Sequence, residues 1–176
     1  MRVVLVPAVA GALVPASLFA TDYLSHDQVR ALLFPGARAE PKTLDARAPW
    51  LEALQQKTGP FRGSLEVAYV GNACQGFLVV DEVIGKFERI TFAVGMDAKG
   101  AITQVEILAY RESHGHEVRM PAWRRQFKGR GASATLKVGQ DIANISGATL
   151  SCTHVTEGVK RAVLLVDGAR RSGLIP

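Results

Sequence analysis

Apolar and polar residues follow two different periods along the chain, and the change of period separates helical from strand segments. A helical period follows Ser25, which lies three residues before Gln28 as in a capping box, and Pro35 ends this segment. A second helical period begins at Pro49 and ends before Gly59. Both predicted helices are short and amphipathic, so we expect them to pack against a larger element.

Between residues 64 and 110 the apolar period changes to two, which is typical of β-strands. The alternation is clearest in the segments 65–70, 76–80, 88–94 and 101–108. The connections between these segments are too short for a parallel crossover and are rich in Gly, Asn and Asp. The pattern therefore predicts a meander of four antiparallel strands.

One face of such a sheet needs helices to cover it, and residues 120–128 and 150–166 are the candidates. The second segment is the clearest helix, with Val155, Val159 and Val163 at helical spacing and a predicted stop at residues 167–168. Residues 37–48 are polar and show neither period. The predicted fold class is α+β, an antiparallel β-sheet meander with packed helices.

The first 20 residues are strongly apolar, and Arg2 is their only charge. A charged start, an apolar stretch and small residues up to Ala20 are the features of a secretory signal peptide. Pro7 and Pro15 interrupt the apolar run, which favours a removed signal over a spanning anchor. We therefore expect a periplasmic or extracytoplasmic protein. Two alternatives stay open: an uncleaved segment that anchors the protein to the membrane, or a core helix of a cytosolic protein.

The chain has 21 Lys and Arg against 16 Asp and Glu, and its basic residues are concentrated between residues 118 and 140. That stretch contains no acid, and its basic members are Arg119, Arg124, Arg125, Lys128, Arg130 and Lys137. Nucleic-acid binding fits poorly with export and lacks a recognition motif. Two interpretations stay open: a solvated basic face, or a patch that attracts a phosphate, an anionic partner or a membrane headgroup.

Few residues support hydrolytic or metal chemistry. The chain has no G-x-S-x-G, H-E-x-x-H or Walker motif. Cys74 and Cys152 can pair in an oxidising compartment, but no CxxC spacing offers a haem or structural zinc site. His114 and His116, flanked by glutamates, suggest a metal site only weakly, since a surface loop explains them equally well.

The start of the last predicted helix is rich in small and hydroxyl residues: Ser146, Gly147, Ala148, Thr149, Leu150 and Ser151. Such a turn lets backbone amides approach an anion, and the helix dipole favours negative charge there. Alternatively, the Thr149 or Ser151 hydroxyl simply caps the helix. The spacing alone leaves both interpretations open.

Residues 144–151, Asn-Ile-Ser-Gly-Ala-Thr-Leu-Ser, followed by the Val-periodic helix, resemble the acceptor motif of FMN-binding domains. This family includes the flavin-carrying subunits of the sodium-translocating NADH:quinone oxidoreductase and Rnf complexes. Residues 85–102 resemble the family's glycine-lysine strand pair and turn. Residues 110–117 occupy the place of the family's His-x-Glu-Thr-Pro-Gly-x-Gly loop beside the flavin. The resemblance extends over residues 76–166.

The resemblance implies that a flavin transferase esterifies the phosphate of FMN to Thr149. It implies an exported electron-transfer flavoprotein, more a carrier than a stand-alone enzyme, with a redox protein or membrane electron-transfer complex as its partner. We divide the chain accordingly into a signal peptide (1–20), an N-terminal helical segment (21–63) and an FMN-binding domain (64–176). The cofactor-binding residues it implies are Thr149, Ser146, Gly147, Ala148, Leu150, Ser151, Glu112 and Gly115.

The chain departs from the family pattern at the acidic position six residues before the acceptor. Ala143 stands there, and Asp141 lies two places too early. In the loop, only Glu112 and Gly115 match the family pattern. These departures favour, as the alternative, a flavin-free or weakly flavin-binding accessory module that docks a membrane redox complex through its basic face. The candidate neighbours of the flavin ring are Tyr110, Trp123 and Phe127. Cys152 is expected to be a small, buried apolar residue.

Overall fold

The computed structural model describes residues 21–176, so the predicted signal peptide lies outside the described residues. Six antiparallel strands form one sheet in the order β1-β6-β5-β4-β3-β2. The strands are β1 (Thr21–Asp22), β2 (Arg38–Lys42), β3 (Ser64–Val70), β4 (Ala73–Ile84), β5 (Arg89–Asp97) and β6 (Ile102–Tyr110). The helices are α1 (His26–Leu33), α2 (Pro49–Thr58), α3 (Pro121–Arg124) and α4 (Thr149–Arg171), and 3₁₀ turns at His116–Arg119 and Arg125–Phe127 flank α3.

The predicted α+β class and the four-strand meander are confirmed. Strands β3 to β6 are neighbours in sequence order, as short hairpin connections require. Helices α1 and α2 also lie where their caps and stops predicted them, and the Ser25 side chain and Gln28 form the capping box.

The sheet has two edge strands that the apolar period did not predict. Strand β2 pairs with β3, and β1 pairs with β6 beside Tyr110. An edge strand bonds to a neighbour on one side only, so charged residues and Pro41 are compatible with β2. Residues 21–63, predicted as a helical segment, therefore supply both edges of the sheet as well as α1 and α2.

Apolar clusters lie on both faces of the sheet. Helix α4 packs with α2 over the larger cluster, where Val155 and Val159 join Phe77 and Phe92 of the strands. Helix α1 covers the smaller cluster on the opposite face through Val29. Helices cover both faces of the sheet, which is why the central strand β4 carries an unbroken apolar run at residues 77–80.

Helix α4 is longer than its sequence predicted. The stop expected at residues 167–168 is wrong, and the helix ends at Arg171. A Cβ added to Gly168 would lie 2.6 Å from Cε3 of Trp50, so this glycine allows a close approach of helix α2. The predicted helix at 120–128 is broken into α3 and a 3₁₀ turn.

A buried ion pair joins three elements beneath α4. Asp81 of β4 is fully buried, and its Oδ2 accepts a hydrogen bond of 2.7 Å from Nε of Arg161. The same guanidinium donates to the carbonyl oxygens of Thr58 and Glu82. Amides of Arg62 and Glu82 donate to Asp81 Oδ1. Every charged group of this network is hydrogen-bonded, as burial requires.

The helices of residues 21–176 include none that combines the length and apolar character needed to cross a membrane.

Candidate functional site

A groove of about 420 Å³ lies at the N-terminus of α4. Three segments distant in sequence meet there: the β4–β5 turn, the loop after β6, and the first turn of α4. The lining residues are Lys86, Phe87, Glu112, Ser113, His114, Gly147, Ala148, Thr149, Leu150 and Ser151. The groove thus brings together most of the site residues predicted from the sequence, while Ser146 and Gly115 lie outside its lining.

The first turn of α4 has free backbone donors. Ala148 is the N-cap residue and makes no side-chain cap hydrogen bond. The amide of Cys152 donates to the Ala148 carbonyl, which leaves the three preceding helical amides without an intrahelical acceptor. The interpretation of Thr149 or Ser151 as a simple helix cap is therefore wrong. Uncapped amides at the positive end of the helix dipole are suited to binding an anion.

Thr149 carries the exposed hydroxyl of this turn. Its Oγ1 accepts a hydrogen bond of 2.9 Å from Nδ2 of Asn144. Gly147 precedes it with a φ of +84°, a conformation that favours glycine, and no atom lies within 4 Å of an added Cβ. The backbone next to the hydroxyl is therefore open to a ligand.

Ser151, which lines the groove, and Gly115, which lies just outside the lining, connect two walls of the groove. Tyr110 donates its hydroxyl proton to the His114 carbonyl, so the Ser151 hydroxyl donates to Tyr110 Oη over 2.8 Å. Burial raises the pKa of Tyr110, which keeps the phenol neutral. Gly115, with a φ of +90°, passes so close that an added Cβ would lie 2.7 Å from both hydroxyl oxygens. These residues hold the loop against α4.

Glu112 fixes the β4–β5 turn. Its Oε1 accepts hydrogen bonds from the amides of Phe87 (2.5 Å) and Glu88 (2.8 Å). Burial alone would raise the pKa of Glu112, but hydrogen bonds from these amides and from that of Lys86, with the Lys86 charge, lower it. The ionised carboxylate therefore positions the turn that carries Lys86 and Phe87.

The ionised Glu112 carboxylate makes the free energy of unfolding depend on pH, and the Glu112→Gln variant should reveal this dependence. A folded-state pKa below the ordinary 4.5 means that Glu112 stabilises the fold at neutral pH and that this contribution disappears as pH falls through the folded-state pKa. We expect the variant to have a lower free energy of unfolding at pH 7, and the difference from wild type to shrink as the pH is lowered below 4.5. Urea denaturation across this pH range measures it. The exposed Glu88→Gln is the control, and a pH-independent difference for Glu112→Gln would contradict the assignment.

The groove has an apolar rim and a cationic group. Phe87 is 76% exposed and Leu150 is 48% exposed, and both line the groove. Lys86 lies beside them, with Nζ 4.9 Å from the centre of the Phe87 ring. Amides and an ammonium group suit a phosphate, whereas exposed apolar side chains suit a flat ring, so the groove fits a phosphorylated aromatic ligand.

Residues 85–164 match the family model of the FMN-binding domain. This chain contains an FMN-binding domain. The matched segment begins at the turn before Lys86 and ends within α4, so it includes all three segments of the groove. A comparison with curated proteins finds no match. The domain makes the protein a flavoprotein, and the residues of the groove fit FMN: the α4 amides and Lys86 suit its phosphate, and Phe87 and Leu150 suit its ring.

The aromatic candidates for flavin neighbours belong to the core of the FMN-binding domain. Trp123 and Phe127 are buried and pack edge to face, with ring centres 5.1 Å apart. The Tyr110 ring is buried as well. Phe87, which sequence reasoning did not single out, is the aromatic residue that lines the groove.

The basic stretch does not line the groove of the FMN-binding domain. Arg124, Arg125 and Lys128 line a separate cleft of about 390 Å³ against β6. Arg124 pairs with Glu106, and Arg130 pairs with Asp141. Among the residues that line the groove, Lys86 is the one with a Lys or Arg side chain. The Gly85-Lys86 pair after β4 was the sequence feature that indicated its position.

The remaining candidate groups have structural surroundings. Cys74 and Cys152 are free, so the disulfide considered from the sequence is not formed. Cys152 is buried, as expected, and burial raises the pKa of its thiol. Within residues 21–176, no group of three His, Cys, Asp or Glu side chains could hold a metal ion.

Proposed function

We propose that this protein is an exported electron-transfer flavoprotein that carries FMN as a phosphoester of Thr149. It passes electrons between a membrane or periplasmic donor and an acceptor. The observation that carries this proposal is the exposed Thr149 hydroxyl at the uncapped start of α4, within the groove of an FMN-binding domain. Ester attachment also keeps the cofactor from being lost outside the cytoplasm.

Attachment needs an activated FMN donor, for which a flavin dinucleotide is the chemical class, and a flavin transferase. Thr149 Oγ1 forms a bond to the FMN phosphorus while the pyrophosphate bond breaks and AMP leaves. The hydroxyl proton passes to a base of the transferase. In the product, the uncapped amides and the helix dipole stabilise the remaining negative charge of the phosphoester.

The residues of the groove determine the charge and the water access around the bound cofactor. When bound, FMN supplies the one- and two-electron chemistry. Lys86 would place a positive charge beside the bound cofactor. Phe87 and Leu150 would shield part of it from water, and Glu112 keeps Lys86 and Phe87 in place.

The test is the intact mass of the protein expressed with and without a flavin transferase. We expect a gain of one FMN less one water only with the transferase, and peptide mapping should place the gain on Thr149. The absence of a gain, or a modification of another residue, would overturn the proposal. A flavin-fluorescent band on a denaturing gel excludes the flavin-free accessory module that Ala143 favours.

Export is the second part of this proposal and rests on the composition of residues 1–20. Cell fractionation followed by N-terminal sequencing tests it. We expect the protein outside the cytoplasm with its first residues removed, whereas a cytoplasmic protein that retains them would contradict export.

The cleft against β6 is where we propose that an acidic redox partner docks. Arg125 and Lys128 are exposed at this cleft and form no ion pair within residues 21–176. Such charges steer a partner of opposite sign, and the attraction falls with ionic strength.

Charge reversal tests this docking site. We expect Arg125→Glu with Lys128→Glu to reduce co-sedimentation with host membranes several-fold at low salt. Arg47→Glu with Lys57→Glu, which reverses two exposed charges elsewhere, is the matched control and should bind as wild type does. Protease treatment of the membranes should abolish binding. Equal loss in the control pair, or binding that survives protease, would overturn a protein partner at this cleft.

A further inference from the structure

The acceptor hydroxyl has a specific side-chain partner. Asn144 Nδ2 donates to Thr149 Oγ1 over 2.9 Å, and this bond closes the turn formed by residues 145–148. The amide of Ala148 donates to the carbonyl of Ile145 within the same turn. Thr149 is thus tied to a residue before the turn as well as to its own helix.

The backbone just before Asn144 is anchored to the core. The indole Nε1 of buried Trp123 donates to the Ala143 carbonyl over 2.8 Å. The Ala143 amide donates to Gln126 Oε1 over 2.7 Å, and the same side chain donates to the Trp123 carbonyl. Ala143 is therefore held on both sides, so Asn144 extends toward Thr149 from a fixed point.

Asp141, the nearest acid before the turn in sequence, has other partners. Its carboxylate accepts from the amides of Leu136 and Lys137 and from Arg130. Hydrogen bonding from the Lys137 amide is the main cause that lowers the pKa of Asp141. Asp141 therefore stabilises its own loop, and Asn144 is the side chain that contacts the acceptor oxygen.

We infer that Asn144 is a positioning residue for the transfer of FMN to Thr149, an inference that rests on the proposed acceptor role of Thr149. The amide occupies one lone pair of Oγ1 and restrains the side-chain torsion of Thr149. It leaves the second lone pair for attack on phosphorus and the proton for removal. Fixing the nucleophile in one orientation lowers the entropic cost of reaching the transition state.

The test compares transfer rates of purified apo variants with a flavin transferase and a flavin dinucleotide, measured by flavin fluorescence of protein bands. We expect Asn144→Ala to lower kcat about tenfold, as loss of one hydrogen bond that orients a nucleophile implies, with KM unchanged. Asn144→Gln, which keeps an amide donor on a side chain one methylene longer, should recover part of the rate, whereas the carboxylate of Asn144→Asp cannot donate to Oγ1 and should not. Asn72→Ala, in the β3–β4 turn, is the matched control and should react as wild type does.

A second readout separates positioning from folding. The three-bond couplings of Thr149 in the NMR spectrum should show a single side-chain torsion in wild type and averaging in Asn144→Ala, with unchanged melting temperatures. A wild-type transfer rate in Asn144→Ala overturns the inference, as does a change in KM alone or a slower rate accompanied by a lower melting temperature. Failure of wild type to accept FMN would instead overturn the acceptor role of Thr149.

Discussion

Thr149→Ala should abolish covalent flavin attachment, because the groove then has no exposed hydroxyl at the first position of α4. Ser151 cannot replace it, since its hydroxyl is buried and donates to Tyr110. Ser146 is exposed but precedes Gly147, whose backbone turns the chain before the helix, and it does not line the groove. We therefore expect complete loss of the mass gain and of in-gel flavin fluorescence.

Two variants control this result. Thr149→Ser replaces the secondary hydroxyl with a primary one at the same position and should retain attachment, although a serine side chain is less restrained than threonine. Thr153→Ala removes a hydroxyl one turn further along α4 and should be labelled as wild type is. Flavin that persists on Thr149→Ala after denaturation would show that another residue carries it.

Arg161→Met should have the largest effect on folding, with a loss of about 3–5 kcal/mol of unfolding free energy. Removal of the guanidinium leaves the fully buried Asp81 carboxylate without its charged partner. It also removes donors from the carbonyls of Thr58 and Glu82. Urea denaturation monitored by far-UV circular dichroism measures the loss.

The same helix supplies a matched control. Arg171 pairs with Asp167 at the surface, and its side chain is 77% exposed, so Arg171→Met should cost less than about 1 kcal/mol. The double variant Asp81→Leu with Arg161→Met removes both buried charges and should be more stable than Arg161→Met alone. A loss for Arg161→Met no larger than that for Arg171→Met would contradict this account of the pair.

Elements that bury one regular apolar face could be predicted from the sequence, and elements defined by distant contacts could not. The meander followed from the apolar segments and the short turns between them, because strands joined by such turns pair antiparallel with their neighbours in sequence. Strand β2 has no such period, since pairing with β3 alone places it at the edge. The end of α4 was predicted wrongly at Gly168, where Trp50 from α2 explains the glycine by packing.

In the candidate site, too, local sequence patterns were predictable and contacts between distant residues were not. The turn of residues 146–151 is continuous in sequence, so its place at the start of α4 followed from the sequence. Lys86 and Phe87 reach the groove through the carboxylate of Glu112, a contact between residues 25 apart along the chain. The basic residues between 118 and 140 likewise could not reveal that Glu106, on strand β6, forms an ion pair with Arg124 of α3.

The anchoring of Ala143 to Trp123 and Gln126 also bears on the order of maturation. The shape of the acceptor turn depends on an indole in the hydrophobic core, so it exists only after the core has formed. Under the proposed attachment at Thr149, a transferase that recognises this shape would act on folded protein and leave nascent or misfolded chains unlabelled. Flavin content would then report how much of a preparation reached the native state.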